Sequence, residues 1–106
     1  MATKAKFTKD PDDVLDYSVP WSEDPTWVDG DTITTSTFTV TPTPPDTDLT
    51  PLVVDEGQST FDDTTAVVWL SGGTTGLTYE VVNHITTSEG REMDKVLFIK
   101  ISEYAR

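Results

Sequence analysis

The chain has 106 residues, no cysteine and a formal net charge of −12. This length supports one small domain, the lack of cysteine excludes disulfides and thiolate metal sites, and an acidic body makes nucleic acid a poor partner. Threonine occupies 20 positions and suits pleated strands, so we expect an all-β protein. No apolar run is long enough for a membrane span and the N-terminus has no apolar signal core, so we expect the protein to lie outside membranes.

The N-terminal residues 1–13 are predicted to form a flexible polar arm, because they lack an apolar period and contain the turn signal Asp10-Pro11. A single β-sandwich domain is expected to span residues 14–106. Its first strand fits Leu15–Val19, which alternates at period two and ends before Pro20.

Two tryptophans, Trp21 and Trp27, lie in the loop that follows the first strand. Tryptophan is both a core filler and a frequent interface side chain. These two residues therefore either close an open end of the core or present their rings to a sugar or a protein partner.

The second predicted strand covers Asp31–Val40, but its apolar residues are out of phase. Ile33 lies on the opposite phase from Phe38 and Val40. A β-bulge, or Ile33 capping the end of the sandwich, would reconcile them.

The middle of the chain is rich in proline. Residues 41–51 contain four prolines and are predicted to form an extended connection of the polyproline II type. Further strands are predicted at Leu52–Val54, Thr65–Leu70, Thr78–Thr87 and Glu92–Glu103, from apolar runs and alternation bounded by turn residues.

Six or seven short antiparallel strands with regular turn signals predict an Ig-like or fibronectin-III-like β-sandwich. The glycine-rich segment SGGTTG then reads as the corner before a late strand. In such sandwiches a tyrosine at this corner bonds back to the backbone, so the Tyr79 hydroxyl should bond a backbone group near Thr75, with Gly76 serving the turn.

No residue pattern points to catalysis or to a cofactor. The segment SGGTTG matches neither a phosphate-binding loop nor a nucleophile elbow. His84, the only histidine, falls on the polar face of its strand and is expected to be a solvated surface residue. The acidic pairs lack the spacing of a calcium loop and are expected to serve turns, so no metal or cofactor is predicted.

The charges are segregated along the chain. All basic residues lie before residue 10 or after residue 90, and 16 Asp and Glu residues lie between them. Two interpretations remain open: a well-solvated surface, or a basic end of one copy that docks on the acidic body of another.

Most of the chain outside residues 41–60 resembles a family of small tailed-phage virion proteins described as fiber-tail adaptors. The resemblance is carried by KDPDDVLDYSVPWSE, DGDTITTSTFTV and VVWLSGGTTGLTYEVVNHITTSEGR. It implies a virion structural protein, made in the host cytoplasm, that joins portal or tail components to fibres without catalysis. It also implies that several copies assemble, for example in a ring. A capsid decoration protein, and a carbohydrate-binding module that uses Trp21 and Trp27, remain alternatives.

The last strand offers a candidate assembly surface. Leu97, Ile99 and Ile101 are predicted to face the core, so Val96 and Phe98 should point away from it. The alternative is that the proline-rich connection covers them. The full set of candidate interface residues is Lys4, Lys6, Lys9, Trp21, Trp27, Lys95, Val96, Phe98 and Lys100.

Overall fold

The computed structural model describes residues 4–43 and 50–103. Within these ranges the chain forms β-strands and one short 3-10 helix, and no α-helix, which confirms the all-β prediction. The strands are β1 (Lys4–Lys9), β2 (Val14–Pro20), β3 (Ile33–Thr43), β4 (Leu52–Val54), β5 (Thr60–Phe61), β6 (Thr65–Gly72), β7 (Thr78–Thr87) and β8 (Glu92–Ile101), and the 3-10 helix is Trp21–Glu23.

The strands form two sheets that pack face to face as a sandwich. Sheet A has the order β1-β8-β7-β3, and sheet B has the order β2-β6-β4, with β5 also paired to β6. Pairing is antiparallel except between β1 and β8, which run parallel. The strand order is consistent with an Ig-like arrangement.

The core lies between the sheets and is built by strict alternation along β6, β7 and β8. Every second residue is buried along all of β7, from Thr65 to Leu70 in β6 and from Lys95 to Ile101 in β8, and the neighbours are more exposed. Each fully buried aliphatic side chain contributes about 1.5–3 kcal/mol relative to exposure. The largest buried apolar side chains include Trp21, Leu70, Tyr79, Ile85, Ile99 and Ile101.

Residues 4–9 of the predicted arm form strand β1, and its pairing corrects the prediction of purely antiparallel strands. It pairs in parallel with β8, so that Lys6 lies opposite Phe98 and Lys9 opposite Ile101. The Phe7 ring contacts the Tyr17 ring of sheet B with a centroid separation of 4.8 Å. The three lysines of this segment made it resemble a solvated arm, but an edge strand needs only one partly apolar face.

Strand β3 confirms the predicted bulge and extends further than predicted. The register with β7 shifts between Ile33 and Thr35, which reconciles the two apolar phases. The strand continues to Thr43 and therefore includes Pro42, where an extended connection was expected. Proline is tolerated there because β3 is an edge strand of sheet A. Residues 44–49 of the expected connection lie outside the described residues.

The glycine-rich segment forms a corner between β6 and β7. The Tyr79 hydroxyl accepts the Thr74 backbone N–H at 2.9 Å, one residue before the position expected from the sequence, and lies 3.4 Å from the Thr50 carbonyl oxygen. The neighbouring Thr75 is exposed, and Gly76 has a φ of +93° and donates its N–H to the Ile101 carbonyl at 2.9 Å. The segment therefore has a structural explanation.

Candidate protein-binding surface

The outer face of sheet A is the side that points away from sheet B. Residues opposite one another in adjacent strands share a face, so the pair Val82 and Val96 and the pair Glu80 and Phe98 lie together on it. Val82, Val96 and Phe98 are half-buried, and we call them the apolar patch. Val82 was not among the predicted interface residues, although it lies two positions after Glu80 in β7 and therefore on the same face.

Exposed lysines border one end of the apolar patch. Lys6 lies opposite Phe98 in β1, and Lys100 lies two positions beyond Phe98 in β8; we call these two lysines the basic rim. Together with Phe98, Thr8, Thr78 and Phe7, they line an open groove of about 550 Å³. Lys4 is the first residue of β1 and lies opposite Val96 in the register.

Acidic residues border the other end of the patch. Asp94 and Glu92 are exposed on β8, and both contact His84 of β7. The His84 Nδ1 lies 2.6 Å from Asp94 Oδ1, and its Nε2 lies 3.0 Å from Glu92 Oε1. We call Asp94 and Glu92 the acidic rim.

The two contacts favour the protonated form of His84. Ionised carboxylates only accept hydrogen bonds, so both contacts are hydrogen bonds when the two ring nitrogens carry protons. Hydrogen bonds to Asp94 first and Glu92 second raise the pKa of His84 above its ordinary value of 6.5. The side chain is 43% exposed, which agrees with the surface position predicted for it. It contacts two carboxylates, however, and is not simply solvated. A doubly bonded imidazolium is not free to act as a general base.

Lys9 was predicted to lie at an interface and is instead fully buried. Its Nζ donates to the carbonyl oxygens of Gly72 at 2.7 Å and Asp10 at 2.9 Å. Burial lowers its pKa, and the surrounding aspartates oppose that effect only in part. The cause is its register opposite Ile101, which places Lys9 on the inner face.

Lys95 was also predicted to lie at an interface, and the structure buries it too. Its Nζ lies 3.0 Å from Asp24 Oδ2 and 4.7 Å above the Trp21 ring. The Thr26 hydroxyl, the Thr26 backbone N–H and Lys95 all bond Asp24 and hold its pKa well below the usual range. Lys95 shares the parity of Leu97, so the sequence carried the signal that it faces inward.

The two tryptophans close the end of the core. Trp21 is 1% exposed, and its Nε1 donates to Asn83 Oδ1 at 2.8 Å. Trp27 is half-buried and packs against the same core. Trp21 therefore offers no ring face to a sugar or to a protein, which corrects its place among the interface residues.

Asp31 links the loop before β3 to the hairpin between β7 and β8. Its carboxylate accepts hydrogen bonds from Arg91 Nη1 at 2.8 Å, the Thr32 N–H at 2.9 Å and Ser88 Oγ at 3.1 Å. Burial alone would raise its pKa, but hydrogen bonds from Thr87, Arg91, Thr32 and Ser88 lower it to about 2. The sequence indicated only a turn at Asp31, because its partner is 60 residues away.

Metal sites and membrane spans were sought among the described residues. Among them no group of three or more His, Asp or Glu residues is placed to hold a metal ion. Nor does this part of the chain contain a helix long and apolar enough to cross a membrane. Asp62, from one of the acidic pairs, stabilises a turn, because its carboxylate accepts hydrogen bonds from the N–H groups of Thr64 and Thr65.

Comparison with known proteins relates this chain to a known family. The family model described as Podophage GP4 fiber-tail adaptor protein gp77 matches residues 9–100. The match starts at the end of β1 and ends within β8, so it includes strands of both sheets. No curated protein matches the chain.

Proposed function

The chain belongs to the podophage GP4 fiber-tail adaptor family, and on this premise we propose that it joins portal or tail components of the phage particle to the fibres. It does so as a structural protein of the virion, in several copies and without catalysing a reaction. The family favours this position over decoration of the capsid.

The observation that supports this function best is the layout of the outer face of sheet A. An apolar patch there lies between a basic rim and an acidic rim. Charges of opposite sign at the two ends of one face suit head-to-tail contact, in which the basic rim of one copy meets the acidic rim of the next. Such a contact, repeated around an axis, generates a ring.

The alternative cover for this face is the proline-rich connection. Strand β3, which leads into that connection, is separated from β8 by β7. Its last residue, Thr43, lies opposite Thr78 and not beside Val96. Residues 44–49 lie outside the described residues, so the experiment must also test whether the connection covers Phe98.

The test uses phage that lack this gene and are complemented with variants. Phe98→Ser removes the largest side chain of the apolar patch, and Lys6→Glu reverses one of the two charges of the basic rim. Val53→Ser is the matched control, because Val53 is 52% exposed on sheet B. All variants keep β1 and its buried Lys9 intact.

We expect Phe98→Ser and Lys6→Glu to fold, as judged by thermal melts, but to be depleted from purified particles, whereas Val53→Ser is incorporated normally. Docking of the wild-type protein should weaken with salt, because the rims attract through exposed charges. Loss of folding in Phe98→Ser would mean that this residue belongs to the core, and normal incorporation of both variants would contradict the proposed surface.

A further inference from the structure

Strand β3 forms one of the two edges of sheet A. Among the described residues β3 pairs only with β7, so its other side carries backbone groups without a neighbouring strand. At the start of the strand the Ile33 N–H is already bonded to the Asp63 carbonyl oxygen at 2.8 Å. The open stretch therefore begins after the bulge and runs from Thr35 to Thr41, about 24 Å of extended chain.

The backbone groups on the open side can be assigned from the contacts of Asn83. Its Nδ2, on β7, donates to the Thr37 carbonyl oxygen at 3.0 Å, so that carbonyl faces β7. Orientation alternates along an antiparallel ladder, which points the N–H and C=O groups of Ser36, Phe38 and Val40 toward the open side. Pro42 continues the same parity, which explains why its missing N–H is tolerated.

Between the bulge and Pro42, the described residues give this edge none of the usual protection of an edge strand. Natural sheets blunt their edges with lysine or other charges, proline or bulges, because an open edge templates pairing with another chain. Strand β3 contains no charged residue, and its bulge and Pro42 lie at its two ends. The exposed residues between them are threonines, which favour β-structure.

A groove runs beside the open edge. It has a volume of about 170 Å³ and is lined by Ser36, Thr37 and Phe38 of β3 on one side and by Glu56, Ser59, Thr60 and Phe61 on the other. Phe61 is 39% exposed and Phe38 is half-buried. A strand added to β3 would place alternate side chains over these two rings.

The charges around the groove select the occupant. Glu56 is exposed and lines the groove, and Asp62 and Asp63 follow Phe61 in the chain. The β3 strand of a second copy contains no charged residue and would bring no cation to Glu56. A basic segment from a different protein would meet Glu56 with complementary charge.

We propose that the β3 edge and the groove beside Phe61 bind an extended segment of the fibre protein that carries basic residues and adds as a further strand to sheet A. This rests on the proposed adaptor function, which requires a contact surface besides the outer face of sheet A. The backbone of Ser36, Phe38 and Val40 provides the hydrogen bonds, Phe38 and Phe61 contact alternate apolar side chains, and Glu56 pairs with a basic one.

The experiment uses complemented phage and two variants of the groove. Glu56→Lys reverses an exposed charge, and Phe61→Ser removes an exposed ring. Asp16→Lys and Val14→Ser are the matched controls, because both residues are exposed on β2, in sheet B. Purified particles are measured by quantitative mass spectrometry for this protein and for the fibre protein, and the isolated variants are checked by thermal melts.

We expect both groove variants to enter particles at the wild-type level while the fibre protein falls about tenfold, which corresponds to about 1.4 kcal/mol of binding energy. Both controls should keep their fibres. Hydrogen exchange should also show that the amides of Ser36, Phe38 and Val40 are slower to exchange in particles than in the free protein. Should Phe61→Ser fail to fold, Glu56→Lys decides, since it changes only an exposed charge.

Wild-type fibre content in particles that contain the folded groove variants would overturn the proposal. A wild-type dimer in solution that Phe61→Ser abolishes would overturn it as well, because the occupant would then be a second copy. Particles that lack this protein and still carry fibres would overturn the adaptor function itself, and that result is read from the deletion phage without any variant.

Discussion

Individual buried polar residues connect different parts of the sandwich through hydrogen bonds between residues that are far apart in the sequence. Asn83 accepts from Trp21 and donates to Ser36 and Thr37, so one side chain connects β7 with β3 and with the end of the core. A buried polar group of this kind stabilises only when its bonds are made, because an unpaired one costs about 1–3 kcal/mol. Such residues are hard to recognise in the sequence, since each resembles a surface residue.

The hydroxyl of Tyr79 is the simplest of these bonds to test. Tyr79→Phe removes the acceptor of the Thr74 N–H and keeps the ring in the core. We expect a loss of about 0.5–1.5 kcal/mol in the free energy of unfolding, measured with urea, and more if the Thr74 N–H stays buried and unpaired. Unchanged stability would show that this bond does not hold the corner.

Alanine substitutions at two glycines of the same corner distinguish the cost of backbone strain from the cost of steric crowding. Both have positive φ, +106° at Gly73 and +93° at Gly76, but a Cβ at Gly73 would lie 2.6 Å from Ile101 Cδ1, whereas at Gly76 it would meet nothing within 4 Å. Gly76→Ala should therefore cost only the strain, about 1–2 kcal/mol. Gly73→Ala should cost about 1–3 kcal/mol more, through overpacking. Equal losses in urea unfolding would contradict this explanation of Gly73.

The ion-paired His84 connects β7 to β8, so we expect the stability of the sandwich to depend on pH. Because its pKa is raised in the folded state, its contribution is fully present below pH 6.5 and is lost as the pH rises through the folded pKa. His84 is the only histidine, so few other groups titrate in this window. We expect the wild-type protein to lose stability above pH 6.5, measured by urea unfolding at constant ionic strength.

The control for this prediction is His84→Gln, which keeps a polar side chain without a titrating ring. Its stability should change much less over the same pH range. An identical pH profile in the wild-type protein and the variant would mean that the contacts to Asp94 and Glu92 contribute nothing in solution.

The elements that could be predicted from sequence are those with a repeated local signal. Alternation located β7 at Thr78–Thr87, with both ends correct, and the phase change in β3 indicated its bulge. Strand β1 was missed because its inward lysine, Lys9, is satisfied by a carbonyl at Gly72, 63 residues away. Lys95 was misplaced although its parity was visible, since a lysine is rarely expected to face a core.

For the whole molecule, the uneven distribution of charge is the property most relevant to assembly. Net charge keeps separate copies apart in solution, while the rims of opposite sign on the outer face of sheet A allow one orientation of approach. Both proposed surfaces belong to sheet A, one on its face and one at its β3 edge. Family membership could be inferred from sequence motifs, but these surfaces required the register of the strands, because each combines residues from distant segments.

The most direct test of the adaptor function is the position of this protein in a cryo-EM reconstruction of the phage particle. The account predicts several copies of the sandwich between the tail and the fibres, with the outer face of sheet A against a neighbouring subunit and the β3 edge against a fibre segment. Copies found on the capsid shell, or a tail–fibre junction built without this protein, would contradict it.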